Sequence, residues 1–117
     1  MENESLAVSK PAERVAVLAL LDEHDMTNVG ELSAAALALV EEGRSLILDF
    51  ERTAFIDSSV VHTILKLRAE AEGRGRKLAL YVGTASRVKR VLEITGTTQL
   101  LPCFDDLDTA IERLGSP

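Results

Sequence analysis

Leu46-Ile47-Leu48-Asp49-Phe50-Glu51-Arg52-Thr53-Ala54-Phe55-Ile56-Asp57-Ser58-Ser59-Val60-Val61-His62-Thr63-Ile64-Leu65 is the stretch on which the reading of this chain turns. Its first five residues are bulky, apolar except for Asp49, and stopped by the polar break Glu51-Arg52-Thr53, the pattern of a short buried strand. A second apolar step, Ala54-Phe55-Ile56, delivers the chain to Asp57-Ser58-Ser59, residues of the kind that start helices. Asp57 or Ser58 can accept hydrogen bonds from the first-turn amides, which have no partner inside a helix. Val61, Ile64, Leu65 and Arg68 then recur at helical spacing, with Lys66 and Glu70 free to face water. This places two serine hydroxyls at a helix N-terminus just past the carboxyl end of a buried strand, the edge where open α/β sheets tend to meet ligands.

Toward the N-terminus, Leu6-Ala7-Val8-Ser9 and Arg14 to Leu21 are predicted to form a hairpin turned at Lys10-Pro11-Ala12-Glu13, since proline presets a turn dihedral. Asp22 to Thr27 ends the second strand and opens a helix with Leu32, Ala35, Ala36, Leu39 and Val40 inward, stopped by Gly43. Toward the C-terminus, Gly73-Arg74-Gly75-Arg76-Lys77 reads as a basic turn and Leu78 to Val82 as a strand. Gly83 to Ser86 leads into a third helix, with Val88, Val91 and Leu92 inward and an end at Thr95-Gly96. Leu100 to Cys103 is expected as a short edge strand, because Pro102 cannot donate to a ladder, and Leu107, Ala110, Ile111 and Leu114 mark a final helix. The alternation implies an α/β fold with a mixed, mostly parallel sheet of about four or five strands, about four helices and an N-terminal hairpin at one edge. Residues 1–117 are expected to form one domain, with 1–5 and 115–117 as loose tails.

With 46% hydrophobic but 3% aromatic residues, the core must be aliphatic. A domain of 117 residues buries roughly two-thirds of its unfolded surface without help from disulfides or metals. The lone Cys103 cannot form an internal disulfide, which favours a reducing, cytoplasmic setting. No apolar run approaches the roughly 18 residues of a membrane span, and no cationic leader is evident, so a soluble protein without direct membrane insertion is expected. A net charge of −6 argues against nucleic acid as a partner, because such binding depends on basic patches and counterion release.

Catalytic patterns are missing from the sequence. It has no G-x-x-x-x-G-K-[ST] loop and no G-x-G-x-x-G opening a helix, so neither an enzyme nor a bound cofactor is expected. One Cys and two His separated by thirty-eight positions make no metal cluster, and Asp22, Glu23 and Asp25 lack the spaced oxygen ligands of a calcium loop. By residue type alone, Asp57-Ser58-Ser59 is an ordinary helix cap, Glu23 and Asp25 are cap and dipole partners, and His62 is a solvated side chain.

The run Leu46 to Phe50, followed by Phe55 and by Asp57-Ser58-Ser59, resembles the signature of the STAS domain, the family of bacterial anti-sigma factor antagonists that also forms the cytoplasmic tail of sulphate transporters. Glu23 and Asp25 match the acidic positions of a Gly-Glu-Leu-Asp junction in that pattern, and Thr95-Gly96 matches its Thr/Ser-Gly helix end. Val60 and His62 stand where the family commonly has glycine, and Thr97 where it has an apolar residue.

The resemblance implies that Ser58 accepts a phosphoryl group from a partner kinase, with Asp57 as cap, Ser59 structural, and Glu23 and Asp25 beside the serine. His62, one turn on, could pair with phosphoserine when protonated, and Val60 would add apolar surface. Partners would then be an anti-sigma factor with serine kinase activity and a Ser/Thr phosphatase, meeting the surface formed by Glu23, Asp25, Asp57, Ser58, Ser59, Val60 and His62. A constitutive adaptor in a lipid-transport ATPase or a stress-sensing assembly, bound through the same helix without phosphorylation, is the alternative. Nucleotide or lipid sensing at the strand edge has fold analogy alone behind it.

Overall fold

Strands buried on both faces must be apolar without alternation, and the chain supplies two such runs. In the computed structural model, which describes residues 5–116, these become the central strands β2 (Val15–Leu20) and β4 (Ser45–Asp49). Around them lie β1 (Leu6–Ala12), β3 (Asp22–His24), α1 (Val29–Glu41), β5 (Thr53–Ile56), α2 (Ser58–Gly73), β6 (Leu78–Tyr81), α3 (Ser86–Ile94), α4 (Thr97–Leu100), β7 (Cys103–Phe104) and α5 (Leu107–Gly115). The main sheet has the order β1-β2-β4-β6-β7, parallel throughout except for the antiparallel hairpin β1–β2. The fold is thus the mixed α/β arrangement expected from the sequence. Of the expected tails, residues 1–4 and 117 lie outside the described residues.

Alternate side chains of each strand serve two different cores. Leu46 and Leu48 of β4 join Leu18, Leu20 and Leu80 under α1, α2 and α3, whereas Ile47 joins Val15, Val17 and Ala79 under Ala110 and Leu114 of α5. Helices therefore cover both faces of the sheet, which is why β2 carries no exposed residue. Gly43 ends α1 at φ +90, a conformation a side chain would resist.

Four details differ from the sequence reading. The hairpin turns at Glu13-Arg14 and Pro11 sits within β1, where an edge strand tolerates a missing N–H and the register shifts between Ser9 and Ala12. Asp22 to His24 is not merely the end of a strand: it forms a separate two-stranded parallel sheet with β5. The edge strand expected at Leu100 to Cys103 begins only at Cys103, as β7, because Leu100 closes the short helix α4: Gly96 (φ +77) turns the chain and Thr97, fully buried, pairs its hydroxyl with that of Thr95 at 2.8 Å. The inward stripe of α2 is Val60, Val61, Ile64, Leu67 and Ala71, while Leu65 is half-buried and Arg68 pairs with Glu72 at the surface.

Burial ranks the strand positions. Ile47→Ala, at a site with no exposure, should destabilise the domain by about 2–5 kcal/mol, whereas Val8→Ala on β1, 51% exposed, should change it by under about 0.5 kcal/mol. Urea denaturation of the two variants checks this ranking.

Candidate functional site

The small β3–β5 sheet sets the geometry of the end of the molecule that carries Asp25 and Asp57. His24 is in register with Ile56, so the chain leaves the two parallel strands at neighbouring positions, Asp25 on one side and Asp57 on the other. Each acid then precedes a helix, α1 and α2 respectively.

Asp57 caps α2 and also ties the two segments together. Its Oδ1 accepts the amides of Ser59 (2.9 Å) and Val60 (3.4 Å) and the Ser59 hydroxyl, while its Oδ2 accepts the amide of Met26 at 3.2 Å. The Asp25 loop is closed by its own bonds. Asp25 Oδ1 accepts the Thr27 amide at 2.8 Å and the Thr27 hydroxyl, Asn28 Oδ1 accepts the Asp25 amide at 2.9 Å, and Asn28 Nδ2 donates to the Glu23 carbonyl at 3.0 Å. The carboxylate of Asp25 therefore organises its own turn, and α1 begins at Asn28 without a side-chain cap.

These bonds hold both acids ionised. The Ser59 hydroxyl, then the backbone amides of Val60, Ser59 and Met26, keep the Asp57 carboxyl below its ordinary value against a partial loss of hydration. The Thr27 hydroxyl and amide do the same for Asp25, although the nearby charge of Asp57 pushes the other way.

The two serines are thereby separated in role. Ser59 spends its hydroxyl on Asp57, whereas Ser58 is exposed and its hydroxyl bonds to none of the described residues. His62 is exposed one turn further along α2, and Glu23 is exposed at the position paired with Phe55. Val60 is corrected: its side chain is fully buried in the core beneath α2, so it offers no surface to a partner.

Other residues enter the site without having been singled out for it. Met26 (75% exposed) and Phe55 (49% exposed) put apolar surface beside the acids, Met26 through the amide that Asp57 holds and Phe55 two residues before that carboxylate. A methionine alone in a polar loop was the available signal for the first. His24 is fully buried, with Nε2 donating to the Ser5 carbonyl at 2.9 Å and Nδ1 without a partner among the described residues, and nothing in its polar neighbours foretold that burial.

A second carboxylate braces the adjoining edge. Glu51 accepts the amide of Thr84 at 2.7 Å and its hydroxyl at 3.0 Å, lying so close over Gly83 (φ +52) that a Cβ there would collide with it. The Thr84 amide and hydroxyl keep Glu51 below the usual carboxylate range, while burial pushes Asp49 upward.

A family profile described as the STAS domain matches residues 8–110. Among solved structures the fold is similar to that of an anti-sigma factor antagonist from Mycobacterium paratuberculosis, with a TM-score of 0.81, 21% identity, and 95% of this chain and 93% of that one covered. It is similar to an anti-sigma-factor antagonist (STAS) domain protein from Planctomyces limnophilus, with a TM-score of 0.80, 20% identity and coverages of 95% and 98%. It is also similar to the Bacillus cell fate determinant SpoIIAA in its phosphorylated form, with a TM-score of 0.70, 23% identity and coverages of 92% and 97%. Identities this low establish likeness of fold. No curated protein sequence matches the chain.

Loss of the Asp57 cap should lower stability by about 1–2 kcal/mol in Asp57→Ala. Because the folded-state carboxyl titrates below its unfolded value, this contribution is present above the unfolded pKa of about 3.9 and is lost as pH falls through the folded one. Urea midpoints of the wild type and Asp57→Asn, measured from neutral pH downward, should therefore converge in acid.

Proposed function

The chain belongs to the STAS domain family, and from that premise we propose that it is a cytoplasmic anti-sigma factor antagonist switched by phosphorylation at Ser58. Unphosphorylated, it docks through the Asp25 loop and the start of α2 onto an anti-sigma factor with serine kinase activity, and a sigma factor is released. The observation that carries this reading is the contrast between the serines: Ser58 is exposed with an unengaged hydroxyl at a capped helix start, while Ser59 is occupied by the cap. SpoIIAA, a fold neighbour described in both an unphosphorylated and a phosphorylated form, adds support.

The chain acts as substrate and ligand, and the kinase supplies ATP. Ser58 Oγ attacks the γ-phosphorus, an Oγ–P bond forms as the bridging P–O bond to ADP breaks, and the hydroxyl proton passes to a base on the kinase. A Ser/Thr phosphatase reverses the state when water attacks the phosphorus, returning the serine hydroxyl and releasing inorganic phosphate.

Charge explains how such a change ejects a partner without refolding the domain. Phosphate adds about −1.5 to −2 at a helix N-terminus, where exposed settings favour it by only about 0.3–1 kcal/mol. Across an interface, two like charges brought to about 4 Å at an effective dielectric near 20 repel by about 4 kcal/mol, roughly a thousandfold in affinity. Asp25, Asp57 and Glu23 already make this end acidic, so a partner carboxylate placed here meets compounded repulsion. His62, when protonated, pairs with the phosphate and moderates the effect. Met26 and Phe55 supply the apolar contact that the unphosphorylated state uses. With Val60 turned inward, no observation favours the constitutive adaptor over this reading.

Incubation with the kinase partner and ATP should add one phosphate, abolished by Ser58→Ala and retained in Ser59→Ala, with mass spectrometry placing it; a phosphate mapped to another residue defeats the assignment. In a binding assay, phosphorylation should weaken the complex by about a thousandfold. Phe55→Ala should weaken it by about tenfold in both wild-type and Ser58→Ala backgrounds.

A further inference from the structure

At the opposite end of the sheet from Ser58, the amino ends of the parallel strands open onto a recess of 510 Å³. That volume falls within the range of small-molecule pockets, about 300–1,000 Å³. Arg14, Arg76 and Lys77 line it, with Glu13 the carboxylate among the lining residues, in a chain whose net charge is −6.

Arg76 is the informative side chain. Among the described residues its buried Nε has no hydrogen-bond partner, and neither does the rest of its guanidinium. The side chain as a whole is half-buried, and a buried donor on a permanent charge is costly to leave without an acceptor. The neighbouring helix ends do not require them. Amides of Glu42, Gly43 and Arg44 close α1 onto the carbonyls of Ala38, Val40 and Leu39, and amides of Arg74, Gly75 and Arg76 close α2 onto Ala71 and Glu72. Nearby carboxylates are also committed, Glu42 to Lys10 and Arg44, and Glu41 and Glu70 to Arg74.

The walls leave the cations available. Gly43 admits the guanidinium, since a Cβ there would stand 3.3 Å from Arg76 Nη2. Lys77 Nζ makes one bond, to the Ser116 carbonyl at 3.0 Å, and Arg14 forms no side-chain bond or ion pair with the described residues. The carboxyl ends of α1 and α2 lie at this end and oppose an anion with about −0.5 charge each. Among the described lining residues, three cations against one carboxylate outweigh that.

We propose that this recess binds a small phosphate-bearing molecule, with Arg76 and Arg14 donating to phosphate oxygens and Lys77 adding charge. Planar guanidinium donors match a tetrahedral oxyanion two at a time, and a dianionic group offsets the positive surplus that the pocket holds. The site is separate from Ser58. Ser45 at the pocket and Asp49 near the opposite edge are the two ends of β4, about 13 Å apart at strand rise.

Titration of the ¹⁵N-labelled full chain with inorganic pyrophosphate at constant low ionic strength tests this. Saturable shifts are expected at the amides of Gly43, Gly75 and Arg76 and at the Arg76 side-chain Nε. Arg76→Gln and the exposed Arg14→Gln should each weaken binding by about tenfold or more. Arg90→Gln on α3 and Ser58→Ala should leave it unchanged. Shifts that fail to saturate, that spread over unrelated basic positions, or that persist at full strength in both pocket variants would overturn the site. Citrate binding as tightly as pyrophosphate would overturn its phosphate class. Should Arg76→Gln lose its dispersed amide spectrum, the Arg14→Gln result decides.

Discussion

One carboxylate, that of Asp57, binds the start of α2 and the loop after β3 into a single surface. One oxygen serves the helix amides and Ser59, and the other reaches across to Met26. Charge-assisted bonds of this kind are roughly twice as strong as neutral ones, and they must be ionised to work. The same bonds that stabilise the site therefore keep Asp57 charged, and they use up the Ser59 hydroxyl. Ser58 is left as the hydroxyl that none of the described residues claims.

The arrangement depends on the minor parallel sheet. Without the β3–β5 pairing, Asp25 and Asp57 would sit on separate loops whose relative position nothing would define. The pairing is short, yet His24 and Ile56 at its end are both buried, and Thr53 Oγ1 donates to the Leu20 carbonyl at 2.6 Å, fastening it to the main sheet. Such bracing is what the proposed switch at Ser58 needs, since added charge then acts across an interface instead of being relaxed by loop movement.

Charge is distributed unevenly along the strands. Their carboxyl ends carry Asp25, Asp49, Glu51 and Asp57, whereas the amino ends meet Arg14, Arg76 and Lys77. Overall composition hides this, because a net charge of −6 averages over both ends. The two ends offer different chemistry: one gathers carboxylates around the exposed Ser58, and the other gathers three cations beside Glu13.

Much was legible from residue order alone. The apolar runs within Arg14 to Leu21 and Leu46 to Phe50, the latter broken only by Asp49, call for buried strands, and Asp57-Ser58-Ser59 before an apolar helix calls for a cap, since unpaired first-turn amides must find acceptors. These are local demands, and local sequence satisfies them. What it could not decide was anything set by contact between distant segments: that Asp22 to His24 would pair with Thr53 to Ile56, that Val60 would turn inward where Phe55 turned out, and that His24 would be buried. Arg76, read as part of a basic turn, has its Nε buried, with its guanidinium lying close against Gly43, more than thirty positions away in the chain. Burial and pairing of this kind depend on which surfaces meet, and only the folded chain brings them together.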